Sequence, residues 1–186
     1  MPEKQILSNK QPDAIILNGA SSSGKTSIAK ALQDMLSNLY LSLSIDSVLY
    51  ALPPTDLQHM IEGSHIRRKD YKYDNLVVGY HAAAVGLLST GNRLILDNAI
   101  TREIWRLDLE ERLREFSVLR VGVTCEPSIL NGRERARGDR AIGTAEREAK
   151  VVHSGWSYDI MVDTTSRTSE ACARDILALV SESYTN

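Results

Sequence analysis

The eight residues Gly19-Ala20-Ser21-Ser22-Ser23-Gly24-Lys25-Thr26 constrain this chain more than any other feature, and they match G-x-x-x-x-G-K-[ST] in full. Asp13-Ala14-Ile15-Ile16-Leu17-Asn18 before them is an apolar run that reads as a buried strand. Thr26 to Leu36 after them carries Ile28, Leu32, Met35 and Leu36 at helical spacing. Strand, glycine-rich turn and helix in that order form a phosphate-binding cradle. The glycines let the backbone curl so that successive N–H groups converge on a phosphate, and the helix adds the positive end of its dipole. In such a loop Lys25 bridges the β- and γ-phosphates, the Thr26 hydroxyl is offered to Mg²⁺, and Ser27 continues the cradle. The structural alternative is a Gly/Ser-rich turn that merely precedes a helix. Strand and helix flanking a full match favour nucleoside triphosphate binding, without separating a kinase from a nucleotide-driven switch.

The rest of the chain alternates short β-rich runs with longer helical patterns, which predicts an α/β fold with a parallel sheet. Further strands are expected at Leu41–Asp46, Leu94–Asp97, Val118–Cys125 and Ile160–Asp163. Helices are expected at Leu76–Leu88, Arg102–Glu115, Glu126–Arg137 and Ser169–Val180. Residues 53 to 75 lack clear periodicity, and a loop that long inside a compact unit is usually functional or disordered. No repeat or linker interrupts the 186 residues, so one domain spanning 1–186 is expected.

Composition narrows the function classes. Lys plus Arg is 22 and Asp plus Glu is 24, a net charge of −2 that argues against non-specific grip on nucleic acid. No apolar run of about 18 residues is present to span a membrane, and the N-terminus lacks a secretory signal, so a cytoplasmic location is expected. Two cysteines, Cys125 and Cys172, are too few for a disulfide scaffold or a Cys-rich zinc site. His59, His65 and His81 show no metal-ligand spacing.

Three aspartates fall at predicted strand ends, where open α/β sheets place their chemistry. Asp46 precedes Ser47-Val48-Leu49-Tyr50 and reads either as a helix N-cap or as a general base for an attacking hydroxyl. Asp97 follows Leu94-Ile95-Leu96, as in Walker-B strands. There it holds Mg²⁺, in part through water, or orients a substrate; the alternative is a turn-starting Asp before Asn98. Asp163-Thr164-Thr165 reads as a cap or turn, with neighbours near the nucleotide base. Gly132-Arg133-Glu134-Arg135-Ala136-Arg137-Gly138-Asp139-Arg140 sets Arg133 and Arg137 on one helical face, continued by Arg140. Like charges so arranged need an anion, and a lid over a moving phosphoryl group supplies one. The alternative is a solvated helix paired with Glu134, Glu146 or Glu148. Arg102, Arg106, Arg112 and Arg114 read as solvating a helix. His153 reads as a hydrogen-bonded structural residue or a catalyst. Trp156 and Tyr158 are either core aromatics or ligand contacts, and Arg67-Arg68-Lys69 either a solvated run or an anion grip.

Assembled, these blocks resemble the chloramphenicol phosphotransferase family. The resemblance runs from Ile16-Leu17-Asn18-Gly19 through Ile45-Asp46-Ser47 and Leu94-Ile95-Leu96-Asp97. It is densest in Gly132 to Arg140, Val151-Val152-His153-Ser154-Gly155 and Val162-Asp163-Thr164-Thr165. It implies a three-layer P-loop NTPase fold of nucleotide-kinase type, with a mainly parallel five-stranded sheet and an Arg-rich lid at about 126–150. It also implies ATP- and Mg²⁺-dependent phosphorylation of a small-molecule alcohol, an antibiotic by family habit. On it, Asp46 is the catalytic base and Lys25, Arg137 and Arg140 its catalytic partners. Arg133 and Arg137 reach the nucleotide, and Thr26 and Asp97 the metal. Asp46, Ser47, Tyr50, Asp97 and Asn98 are candidates for the acceptor, within a segment of about 48–80. Asn98 stands where the family usually has a second aspartate, and residues 53 to 75 are more basic and tyrosine-bearing than the family's. That segment keeps a metabolite kinase in view; a regulatory NTPase without an acceptor is the second alternative. Oligomeric state is open, with a homodimer one option.

Overall fold

A computed structural model describes residues 11–137 and 141–182. Strand β1 (Ala14–Gly19) is buried along its whole length, as an apolar run covered on both faces must be. Around it lie β2 (Tyr40–Ser44), β3 (Arg93–Asn98), β4 (Val118–Thr124) and β5 (Ile160–Asp163), all parallel, in the order β2-β3-β1-β4-β5. Period-two alternation sends successive side chains to opposite faces. Ile15 and Leu17 face helices α1 (Lys25–Met35) and α8 (Ser169–Glu182), packing with Ile28, Leu32 and Ile176. Ala14 and Ile16 face α4 (Tyr73–Ser89) and α5 (Glu103–Arg112), packing with Tyr80, Ala84, Leu88 and Leu109. The result is three layers with a parallel sheet in the middle, as expected.

Three details depart from the sequence expectation. Strand β2 stops at Ser44, and Ile45 and Asp46 open the short helix α2 (Ile45–Leu49). Leu41, Leu43 and Ile45 alternate like a strand, but Ile45, Val48 and Leu49 also satisfy helical spacing, and β2 pairs with β3 only as far as Ser44 opposite Asp97. The segment 53–75 contains helix α3 (Pro54–Ile61), which begins on a proline at its first turn, a position that tolerates the missing N–H. After α6 (Pro127–Arg137), a further helix, α7 (Thr144–Ala149), follows Gly143 in the left-handed conformation. Both unforeseen helices are short, and helices of that length draw their stability from tertiary packing. No described helix is long and apolar enough to cross a membrane.

Candidate active site

The phosphate loop joins β1 to α1 at the carboxyl edge of the central strand. Gly19 still pairs with Val123 of β4, and a Cβ there would lie 2.3 Å from the Val123 carbonyl oxygen, so only glycine fits. Ser22 and Gly24 take positive φ, 62° and 91°, which turns the backbone N–H groups inward. Thr164, just past β5, supports the loop from behind. Its hydroxyl donates to the Ser23 carbonyl at 2.8 Å, and Arg133 donates to the Thr164 carbonyl at 2.9 Å and to its hydroxyl at 3.1 Å. Arg133 therefore braces the loop as well as facing it.

Inside the loop, Lys25 is nearly buried and donates to the Ala20 carbonyl at 2.8 Å, with Asp97 Oδ1 3.9 Å away. Thr26 Oγ1 donates to Asp97 Oδ2 at 2.6 Å. The hydroxyl and carboxylate expected to face a metal are thus neighbours across 71 residues of sequence. The loop opens into a cavity of about 360 Å³, whose lining includes Ser21, Ser22, Gly24, Lys25, Thr26 and Ser27. Across from the loop stand Asp46, Asp97, Arg133 and Arg137, with Arg137 Nη2 4.0 Å from Asp46 Oδ2. Ala20 and Ser23, themselves loop residues, are buried and do not line the cavity. Arg140 lies outside the described residues.

A second cavity of about 210 Å³ adjoins the first, sharing Ile45, Asp46 and Ala99 as a common wall. Its other walls are largely apolar, from Leu49, Leu57, Met60 and Ile61, with Tyr50 and Tyr73 at its sides. Of the acceptor candidates, Asp46 and Tyr50 line this cavity, while Asp97 faces the first. The geometry corrects the other two. Ser47 is exposed on the outer side of α2 and lines neither cavity; Asn98 is buried at the end of β3, in a recess beside Tyr80 and His81. As for capping, α2 takes Ser44 as its N-cap, with Asp46 in its first turn.

The glutamates expected to neutralise the arginines do other work. Glu134 is buried and accepts N–H bonds from Gly143 at 2.6 Å and Ala145 at 2.8 Å, tying α6 to the start of α7. Glu148 Oε2 accepts the Ser21 backbone N–H at 2.6 Å, so the far end of α7 touches the phosphate loop. Glu146 pairs with Lys150. Along and just past α5, by contrast, Arg112 and Arg114 pair with Asp108 and Glu111, while Arg106, expected to solvate the helix, is largely buried beside Gly155 and pairs with Glu110. Arg68 pairs with Asp56, and neither Arg67 nor Lys69 lines a cavity.

His153 is hydrogen-bonded, as its structural reading required. Asn18 Nδ2 donates to Tyr158 Oη at 2.8 Å, which leaves the phenol proton for His153 Nδ1, also at 2.8 Å. Burial pushes the Tyr158 phenol up to about 12 and holds the His153 ring below its usual value, with Lys25 nearby acting in the same direction on His153. Trp156 stacks on Tyr158 at 5.8 Å.

A model of the chloramphenicol phosphotransferase-like protein family matches residues 12–181. The chain belongs to that family. Two Mycobacterium tuberculosis relatives, from strains CDC 1551 and H37Rv, are each named as a candidate O-phosphotransferase. Each is 30% identical over 182 residues, covering 87% of this chain and 79% of the relative. Among solved structures, a gluconokinase from Sinorhizobium meliloti 1021 superposes with a TM-score of 0.67 at 19% identity, over 94% of this chain and 95% of that one. The Mycobacterium tuberculosis APS kinase, solved with AMPPNP and APS, gives 0.66 at 13% identity, over 91% and 98%. As a member of the chloramphenicol phosphotransferase-like family with this fold, the chain is a phosphotransferase of the P-loop kinase type.

Proposed function

We propose that this protein transfers the γ-phosphoryl group of ATP to a hydroxyl of a small molecule. The observation that carries the reading is the position of Asp46 in the wall common to both cavities, one built around the phosphate loop and the other largely apolar. ATP is assigned to the first. The backbone from Ser22 to Thr26 and Lys25 hold its phosphates, with Ser27 at the start of α1 and Arg133 opposite. Thr26 and Asp97 offer a hydroxyl and a carboxylate, the hard oxygen donors that Mg²⁺ prefers. No cluster of three or more His, Cys, Asp or Glu among the described residues could hold a metal by itself, which suits an ion that completes its shell with phosphate and water. When bound, such an ion neutralises charge on the phosphate oxygens.

The acceptor alcohol is assigned to the second cavity. Asp46 takes the hydroxyl proton as the alcohol oxygen bonds to the γ-phosphorus; the bond from that phosphorus to the β–γ bridging oxygen breaks, and ADP leaves. Lys25 and Arg137 hold the charge spreading over the transferred group, with Arg140 completing the set in this reading. Family habit points to an antibiotic alcohol as the acceptor. A metabolite acceptor is favoured by one observation: Leu57, Met60 and Ile61, from the segment least like the family, form part of the second cavity.

Mass spectrometry of a panel of antibiotic and metabolite alcohols, incubated with ATP and Mg²⁺, tests the reading by a gain of one phosphoryl group. Asp46→Asn is expected to retain ATP binding while transfer falls on the order of 10² to 10⁴-fold. Wild-type transfer in that variant removes Asp46 from the role of base.

A further inference from the structure

The acceptor cavity is acidic as well as apolar. Among the described residues, its lining includes two carboxylates, Asp46 and Glu148, and no lysine, arginine or histidine. The two acids differ in their surroundings. Asp46 has the Arg137 guanidinium at 4.0 Å. Among the described residues the Glu148 carboxylate forms no ion pair, and its one hydrogen bond is the Ser21 N–H to Oε2, which leaves Oε1 for a ligand. The loop amide fixes Glu148 at the phosphate end of the cavity, the end that also holds Asp46. A half-buried carboxylate without a cation is electrostatically incomplete, and an ammonium group restores the balance. A carboxylate-bearing acceptor would instead stand beside two like charges.

Size adds a second constraint. A cavity of roughly 150 Å³ accepts benzene, so about 210 Å³ accommodates one ring with a short side chain. Resting on the assignment of this cavity to the acceptor, we infer that the acceptor is a compact amino alcohol. Its apolar body fills the space between α2 and α3, its hydroxyl reaches Asp46, and its ammonium is held by Glu148. In this role Glu148 is a specificity residue; it takes no proton from the reacting oxygen.

Three probes of one skeleton test the inference: 2-amino-1-phenylethanol, 1-phenylethane-1,2-diol and mandelate, cationic, neutral and anionic at neutral pH. Binding is read calorimetrically with a non-hydrolysable ATP analogue present, and transfer separately by mass gain. The expected order of affinity is amine above diol above mandelate, with the amine about tenfold or more ahead of the diol, the worth of one charge-assisted hydrogen bond. Glu148→Gln keeps an oxygen for the Ser21 N–H while removing the charge. It should raise the amine KM about tenfold, against a clearly smaller rise for the diol. Mandelate binding as tightly as the amine, an amine preference that survives Glu148→Gln, or binding of none of the three overturns the inference. The wild-type order alone can do so, whatever the variant's stability. Preferential amine binding without transfer supports the charge assignment and counts against the kinase reading. Transfer to the diol or mandelate alone supports the kinase and sinks the charge assignment.

Discussion

At the scale of single residues, the site depends on close approaches that tolerate no substitute. The clearest is Gly19. Its replacement by alanine would push a methyl carbon to 2.3 Å from the Val123 carbonyl oxygen, which is backbone and cannot swing aside. Gly19→Ala is therefore expected to cost about 1–3 kcal/mol, the range of overpacked cores, and to lower the thermal midpoint in calorimetry. An unchanged midpoint would mean that β1 and β4 separate more easily than their pairing suggests. The phosphate loop was legible in the sequence because its chemistry is local: eight consecutive residues carry it. Glu148 was not. Its partner is a backbone N–H 127 residues away, and an amide leaves no mark in a side-chain pattern. Ser47 and Asn98 were misplaced for a related reason. Adjacent residues point different ways on α2 and β3, and only the local backbone decides which of them meets the cavity.

At the scale of elements, the arginine-bearing helix is held by an acid. Glu134 spends both carboxylate oxygens on the N–H groups of Gly143 and Ala145 at the beginning of α7. A carboxylate suits that place, since the first N–H groups of a helix lack partners within it. Glu134→Gln would leave one of these amides facing an NH₂ group. The expected cost is about 1–3 kcal/mol, seen as faster hydrogen exchange at Gly143 and Ala145, by roughly tenfold or more, and a lower denaturation midpoint. Unaltered exchange would show the contact to be dispensable. The strands were readable because β1, β3, β4 and β5 are apolar runs and β2 alternates, whereas α3 and α7 were not. In α3 only Leu57, Met60 and Ile61 repeat at helical spacing, too short a pattern to separate from a loop. Asp46 fell between two periods, fitting the end of a strand as well as the start of a helix, and the end of its pairing with β3 settled it.

At the scale of the whole molecule, the buried His81 and the half-buried His153 and Tyr158 shape the pH dependence of stability. His81 and His153 have their rings held below the usual value, chiefly by burial, so the folded state resists protonating them. Their contribution to stability is complete above about 6.5, the ordinary histidine value, and is lost as pH falls through the lowered folded values. Tyr158 is raised to about 12, so its contribution is complete below about 10 and is lost as pH climbs towards 12. Urea titrations should give a nearly flat midpoint from about 6.5 to about 8.5, the ordinary thiol value above which the burial-raised Cys172 also begins to lose its contribution, and falling midpoints outside that range. His153→Gln should shallow the acid limb, and an unchanged limb would exclude His153 as a contributor. The arrangement of layers has a different consequence. The machinery assigned to phosphate comes from β1, α1 and α6, whereas much of the cavity we propose for the acceptor is contributed by α2 and α3, separate stretches of chain that meet at Asp46. Such a molecule can acquire a new clientele by rewriting one eight-residue helix, while the apparatus that moves the phosphoryl group is inherited untouched.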